Sequence, residues 1–231
     1  MNAETLKRAA AAKALSFVES GMKLGLGTGT TAEAFLELLA EKIRSGCKIV
    51  GAATSERTES RARALGIPLG DIDSLAPLDV AIDGADEADR SLNLIKGGGG
   101  ALLREKIVAA SARRMIVIAD ESKLVEQLGR FPLPVEVTVF GHATTANRIR
   151  HAVAALGYAN AAVRLRENFI TDGGNTIYDC DFGAIRDARL LALALASIPG
   201  VVEHGLFIGL ASMLVIAGES GVKLINRPPS S

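Results

Sequence analysis

Apolar residues recur at helical spacing over Glu4–Ser20 and stop at Gly21, which predicts an opening helix closed by a C′ glycine. Lys23–Leu26 reads as a short strand, Ala32–Arg44 as a helix and Lys48–Ala53 as a second strand. Glu56–Leu65 is helical in pattern and ends at Gly66. Leu78–Ile82 is a buried strand, Ala101–Ala110 a helix and Met115–Ala119 a further strand. A polar cluster follows each strand: Gly27-Thr28-Gly29-Thr30-Thr31, then Thr54-Ser55, then Asp83-Gly84-Ala85-Asp86-Glu87, then Asp120-Glu121-Ser122-Lys123. Strands alternating with helices predict a parallel, Rossmann-like α/β sheet. Ligands of such sheets bind at the carboxyl ends of the strands, where all these clusters fall.

The pattern changes at Phe131-Pro132-Leu133-Pro134. Val135–Phe140 predicts a strand, Thr144–Leu156 a helix, Ala161–Leu165 and Thr176–Asp181 two strands, Asp187–Ser197 a helix and Val201–Phe207 a final strand. The order β-α-β-β-α-β is that of a ferredoxin-like α+β unit. The expected division is an α/β catalytic domain from residues 1–130 plus 205–231, with an α+β domain inserted at 131–204. Ile208–Asn226 should return to the first sheet as short apolar strands. The tail Arg227–Ser231 should be loose.

Composition narrows the function. The chain has 231 residues, 48% hydrophobic, so a packed globular protein is expected. Formal net charge is zero and aromatics are 4%, which leaves neither a basic face nor stacking residues for nucleic acid. The N-terminus lacks an apolar signal core, and the apolar stretch around Gly205–Gly218 is too short and glycine-broken to span a bilayer. Cys47 and Cys180 have no metal-ligand spacing and are expected to be reduced packing residues of a cytoplasmic protein.

The chemistry centres on Lys96-Gly97-Gly98-Gly99-Gly100, followed by a helix carrying Glu105. Bare glycine backbone lets amides approach a ligand, and amides at a helix start favour negative charge. Lys96 with the amides of Gly97–Gly99 can hold an oxyanion, and Glu105 can move a proton beside it. Gly27–Ala32 also fits the G-x-G-x-x-A dinucleotide pattern, so an NADP-dependent oxidoreductase is a rival. Three threonine hydroxyls there suit a phosphate monoester better than a pyrophosphate. Asp83 and Asp86 can bind sugar hydroxyls, relay protons, cap a helix or hold a hard cation. No histidine stands near them, so no metal is expected. Lys7 and Lys123 are candidate phosphate cations. His142, His151 and His204 lie away from these loops and are expected to be surface or structural. A sugar-phosphate sensor without turnover is a third reading, disfavoured because no output segment is evident.

The segments Gly25–Thr31, Asp83–Glu87, Lys96–Lys106 and Asp120–Lys123 stand in an order that resembles the type A ribose-5-phosphate isomerases, with Leu133-Pro134-Val135-Glu136-Val137 and Ile198–Phe207 matching further along. The resemblance covers nearly the whole chain. It departs at Thr30, where the family more often has serine, and at Gly173, where it often has asparagine. It implies an α/β domain with an inserted α+β domain, a homodimer or homotetramer, and no cofactor. It implies interconversion of D-ribose 5-phosphate and D-ribulose 5-phosphate through an enediolate, a step of the non-oxidative pentose phosphate pathway. Carried onto this chain, Thr28, Gly29, Thr30, Thr31, Lys123 and Lys7 would hold the substrate, mainly its phosphate. Asp83 would assist ring opening, with Gly84, Ala85 and Asp86 beside the sugar. Asp86 would orient Lys96 or a hydroxyl. Glu105 would be the base, and Lys96 with Gly97, Gly98 and Gly99 would stabilise the oxyanion.

Overall fold

A computed structural model describes residues 2–227. In chain order the first part holds α1 (Ala3–Leu15), β1 (Lys23–Leu26), α2 (Thr30–Arg44), β2 (Val50–Ala53), α3 (Glu56–Ala64), α4 (Ile72–Leu75), β3 (Val80–Asp83), β4 (Glu87–Ala88), β5 (Leu94–Ile95), α5 (Leu102–Ala110) and β6 (Met115–Asp120). Then come β7 (Leu133–Val137), α6 (His142–Ala155), β8 (Ala162–Leu165), β9 (Thr176–Asp181), α7 (Ala188–Ala196) and β10 (Val201–His204). The chain closes with β11 (Leu206–Phe207), β12 (Ala211–Gly218) and β13 (Gly221–Asn226).

Six strands form the main sheet in the order β13-β12-β6-β3-β1-β2. All neighbours pair parallel except the β12–β13 hairpin at the edge. Both faces are covered, and the strand alternation shows it. Val80, Ile82, Ile116 and Ile118 join Leu24, Leu26 and Phe35 in the core beneath α1 and α2. Ala81, Val117 and Ala119 point the other way, into the core with Val108 and Ala109 of α5. Gly25 has no side chain because α5 packs directly on it: an added Cβ would meet Val108 and Ala81. That close approach fixes the height of Glu105 above the sheet.

From β1 the chain winds outward to β2, then crosses back to β3, β6 and β12. The loops after β1 and β3 therefore diverge, leaving a crevice at their carboxyl ends.

The four-stranded antiparallel sheet runs β10-β7-β9-β8. Its core joins Leu133, Val135 and Val137 to Ile149, Val153, Leu191 and Leu195 of α6 and α7. A third sheet, β11-β5-β4, is built of two-residue strands.

Several details differ from the pattern reading, and β7 runs over Leu133–Val137 instead of Val135–Phe140. The expected strand Val201–Phe207 is two strands in two sheets, broken at Gly205, whose N–H donates to the Pro134 carbonyl at 2.7 Å while its own carbonyl accepts from Lys96 N at 2.9 Å. Ile208–Asn226 forms one eight-residue strand and one six-residue partner, not several short ones. The opening helix ends at Leu15, with turns carrying the chain to Gly21. The second helix starts at Thr30, two residues earlier than its apolar pattern, so Thr30 and Thr31 are its first turn. Of the tail, residues 228–231 lie outside the described residues.

Candidate active site

The crevice holds a cavity of about 150 Å³. Its walls are Thr28–Thr31 after β1, Gly84–Asp86 after β3, Lys96–Gly99 after β5, Glu105 on α5, Lys7 on α1 and Lys123 after β6. The structure thus brings every expected site residue to one cavity except Asp83, which lies directly behind Lys96. A larger groove of about 820 Å³, near Asp89, Gln127 and Arg186, is polar, and its walls carry no comparable buried charge cluster. The smaller cavity has the convergent chemistry.

One end of the cavity is built for an anion. α2 begins at Gly29 with φ of 111°, a conformation natural to glycine, and no side chain caps it. Its first N–H groups therefore face the cavity with the positive end of the helix dipole. Lys7 Nζ donates to Thr30 Oγ1 at 2.8 Å. Lys123 sits on a 3-10 turn capped by the Asp120 carboxylate through Ser122 N.

Thr28 behaves differently from its neighbours. Its hydroxyl lies 2.7 Å from Thr54 Oγ1, 2.8 Å from Ser55 Oγ and 3.0 Å from Thr58 Oγ1, inside a four-hydroxyl cluster between the ends of β1 and β2. It fixes the loop from below and is committed there, contrary to the expectation that it reaches the phosphate. Thr54, Ser55 and Thr58 escape sequence reading as site residues. The hydroxyl-rich end of β2 was the available signal.

The other end is a buried charge cluster. Lys96, Asp83 and Glu105 are only 2%, 3% and 4% exposed. Lys96 Nζ lies 3.0 Å from Asp83 Oδ2 and 3.1 Å from Glu105 Oε1, and donates to the Gly84 carbonyl at 2.6 Å. The Phe207 ring lies 5.7 Å away. Asp83 Oδ1 accepts from Thr28 N at 3.0 Å and Gly84 N at 2.7 Å. Gly27 must be glycine here, since an added Cβ would overlap the Asp83 carboxylate. Asp83 is thus fully engaged, by two amides and one ammonium.

Glu105 is not. Its Oε2 is buried and has no hydrogen-bond partner among the described residues. Burial pushes its pKa up to about 8, against the pull of Lys96 and with the repulsion of Asp83 adding to the rise. Burial raises Asp83 too, partly offset by Lys96 and the two amides. Burial opposes the charge on Lys96, but Asp83, Glu105 and Asp86 outweigh it and hold the ammonium above its ordinary range. One lysine faces two carboxylates, so a carboxyl proton is easily held in the cluster and easily given up.

Asp86 makes no hydrogen bond to Lys96. Its Oδ2 accepts from Gly98 N at 2.7 Å, so it anchors the glycine loop instead of Lys96. The Gly98 amide is consequently spent within the protein. His204 is buried, with its Nδ1 accepting from Leu206 N at 3.3 Å, and burial and nearby Lys106 lower its pKa to about 4, with Glu203 opposing.

A buried lysine, dipolar amides at an uncapped helix start and a buried carboxylate with one unpartnered oxygen can together bind a phosphate and shift a proton between adjacent carbons. The family model for ribose 5-phosphate isomerase A (phosphoriboisomerase A) matches residues 50–221. The chain is 56% identical to ribose-5-phosphate isomerase A of Rhodopseudomonas palustris strain BisA53 over 99% of its own length and 96% of the relative's. A D-ribose-5-phosphate isomerase solved with phospho-erythronic acid superposes with a TM-score of 0.92 at 40% identity, covering 98% of this chain and 100% of that one. The ribose 5-phosphate isomerase A of Neisseria gonorrhoeae superposes at 0.90 with 36% identity, covering 98% of each. The chain belongs to the ribose 5-phosphate isomerase A family.

Proposed function

We propose that this protein interconverts D-ribose 5-phosphate and D-ribulose 5-phosphate through an enediolate, with Glu105 as the base. The unpartnered, buried Glu105 Oε2, facing a cavity that also holds Lys96 and the α2 start, carries the reading. The phosphate sits on the N–H groups of Thr30 and Thr31, with Lys7 and Lys123 neutralising it. Glu105 takes the proton from C2 of the open-chain aldose and returns it at C1, while the hydroxyl proton on O2 passes to O1 and leaves the carbonyl at C2. Lys96 faces the oxygen on which charge develops. Fixed donors of this kind are commonly worth about 3–4 kcal/mol each in the transition state.

Asp83 reaches the sugar through Lys96, which bridges it to Glu105. Asp83 assists ring opening by holding that ammonium in place from behind.

The cavity of about 150 Å³ suits a pentose phosphate. A homodimer or homotetramer is part of this reading. Phe140, 95% exposed, and the exposed Leu193 and Ile170 are apolar surface that self-association would cover. A cytoplasmic location belongs to it as well, supported by the unpaired Cys47 and Cys180. So does the division into residues 131–204 and the remainder, supported by the separate core of the four-stranded sheet.

The test is ribose 5-phosphate in buffer with excess chelator and no nicotinamide, followed for ketose. Conversion is expected, because both Asp83 oxygens are taken by amides and Lys96 and are not free for a cation. Loss of turnover on chelation, restored by a divalent ion, would reassign the acids.

The pH profile is a second check. The base must be ionised, so kcat/KM should rise as pH climbs through about 8. That limb lies clear of an ordinary carboxylate near 4.3 and of a phosphate monoester near about 6. A limb near 4–5 would mean that the acting carboxylate is not in this cluster.

A further inference from the structure

Arg166, one residue beyond β8, comes from the four-stranded unit yet ends on the glycine loop. Its Nε and Nη2 donate to the two Asp179 oxygens at 2.9 and 2.6 Å. Its Nη1 donates to the carbonyls of Gly97 and Gly98, both at 3.2 Å. The guanidinium lies 5.4 Å from the Phe169 ring centre. Phe169 in turn fills the space that a side chain at Gly100 would need.

Two carbonyls aimed at one nitrogen fix two peptide planes. In a trans peptide the N–H points opposite to the C=O. The Gly98 N–H therefore points away from Arg166, where it meets Asp86. The same rule turns the Gly99 N–H toward that side, which is the cavity side. Gly98 is spent on Asp86, so of the two amides whose planes Arg166 fixes, Gly99 is the one left to face the substrate. A guanidinium on the far side of a peptide also polarises it and strengthens its N–H as a donor.

We propose that Arg166, pinned by Asp179, is a positioning residue for the isomerisation: it aims the Gly99 amide at the developing oxyanion. This rests on the enediolate reading above. Arg166 acts only through the loop, and the phosphate end of the cavity is built by other elements.

The test compares native protein with Arg166→Ala, Arg166→Lys and Asp179→Asn. Arg166→Ala should lower kcat about 10²-fold, the scale of a misplacement near 1 Å. KM for ribose 5-phosphate should stay within about threefold, because phosphate binding is uniform across the reaction. Arg166→Lys should resemble Arg166→Ala, since an ammonium lacks the planar fork that spans Asp179 and two carbonyls. Millimolar guanidinium should restore part of kcat to Arg166→Ala and leave native protein unchanged. Binding of phospho-erythronic acid, whose carboxylate places charge where the enediolate carries it, should weaken more than binding of ribose 5-phosphate.

If Arg166→Ala does not fold, Asp179→Asn carries the test, with kcat down about tenfold at constant KM. Values of kcat within about threefold of native would overturn the proposal. So would equal losses in affinity for the acid and the sugar phosphate. Native protein that makes no ketose would sink the enediolate reading itself. Native turnover with a dead Glu105→Gln and unimpaired Arg166 variants would sink this inference alone.

Discussion

Glu105→Gln is expected to lower kcat by about 10²–10⁴-fold while ribose 5-phosphate still binds. Glutamine keeps the volume, and its carbonyl oxygen can still accept from Lys96, but it cannot accept a proton from carbon. The effect falls on the transition state, so calorimetric affinity for the sugar phosphate should change little. In the proposed mechanism burial is what makes this carboxylate a useful base. An ordinary carboxylate is a poor acceptor from carbon, whereas one raised to about 8 is stronger and still ionises near neutral pH. Retention of more than about a tenth of native kcat, less than roughly 1.4 kcal/mol, would mean that another group takes the proton.

Lys96→Met should remove nearly as much activity and should also cost stability. The ammonium faces charge that develops in the enediolate, and loss of one such donor commonly costs about 10²–10³ in kcat. It also holds together two carboxylates that are almost wholly buried. Removing one partner of a buried ion pair typically destabilises by about 3–5 kcal/mol.

The pH dependence separates the two effects. Without Lys96 the pull that lowers Asp83 and Glu105 is gone, and both rise further. Each raised carboxyl binds more protons folded than unfolded, so stability falls as pH rises above the unfolded value near 4. The gap in Tm between native protein and Lys96→Met should therefore widen from acid to neutral pH. A gap independent of pH would mean that packing, not charge, is what Lys96 supplies.

Much of this was legible in the chain because each signal was local. The alternation of apolar runs and polar clusters gave the parallel sheet, and its strand-end loops are where the cavity lies. Lys96, the glycines and Glu105 are neighbours in sequence as well as in space. What escaped was non-local or too short to have a period. β4, β5 and β11 are two residues each, and no alternation can be read from two residues. The break at Gly205 depends on backbone contacts with Pro134 and Lys96, distant in sequence. Thr28 stands in a run of expected phosphate ligands, but its hydroxyl turns toward Thr54, Ser55 and Thr58 at the end of β2 and the start of α3. The rise of Glu105 could not be read either, since it comes from burial that only the packed α5 and the Asp83 strand create. Arg166 gave no signal, because its partners, Asp179 and the glycine carbonyls, meet it only in the fold.

The most direct measurement runs the reaction in deuterium oxide and follows the carbon-bound hydrogens by NMR. A proton carried by Glu105 exchanges with solvent during part of the turnovers. Native protein should therefore accumulate deuterium at C2 of ribose 5-phosphate and C1 of ribulose 5-phosphate, and Glu105→Gln should place it at neither. Ketose that forms through many turnovers with no label, or label that appears as fast with Glu105→Gln, would contradict proton transfer by this carboxylate.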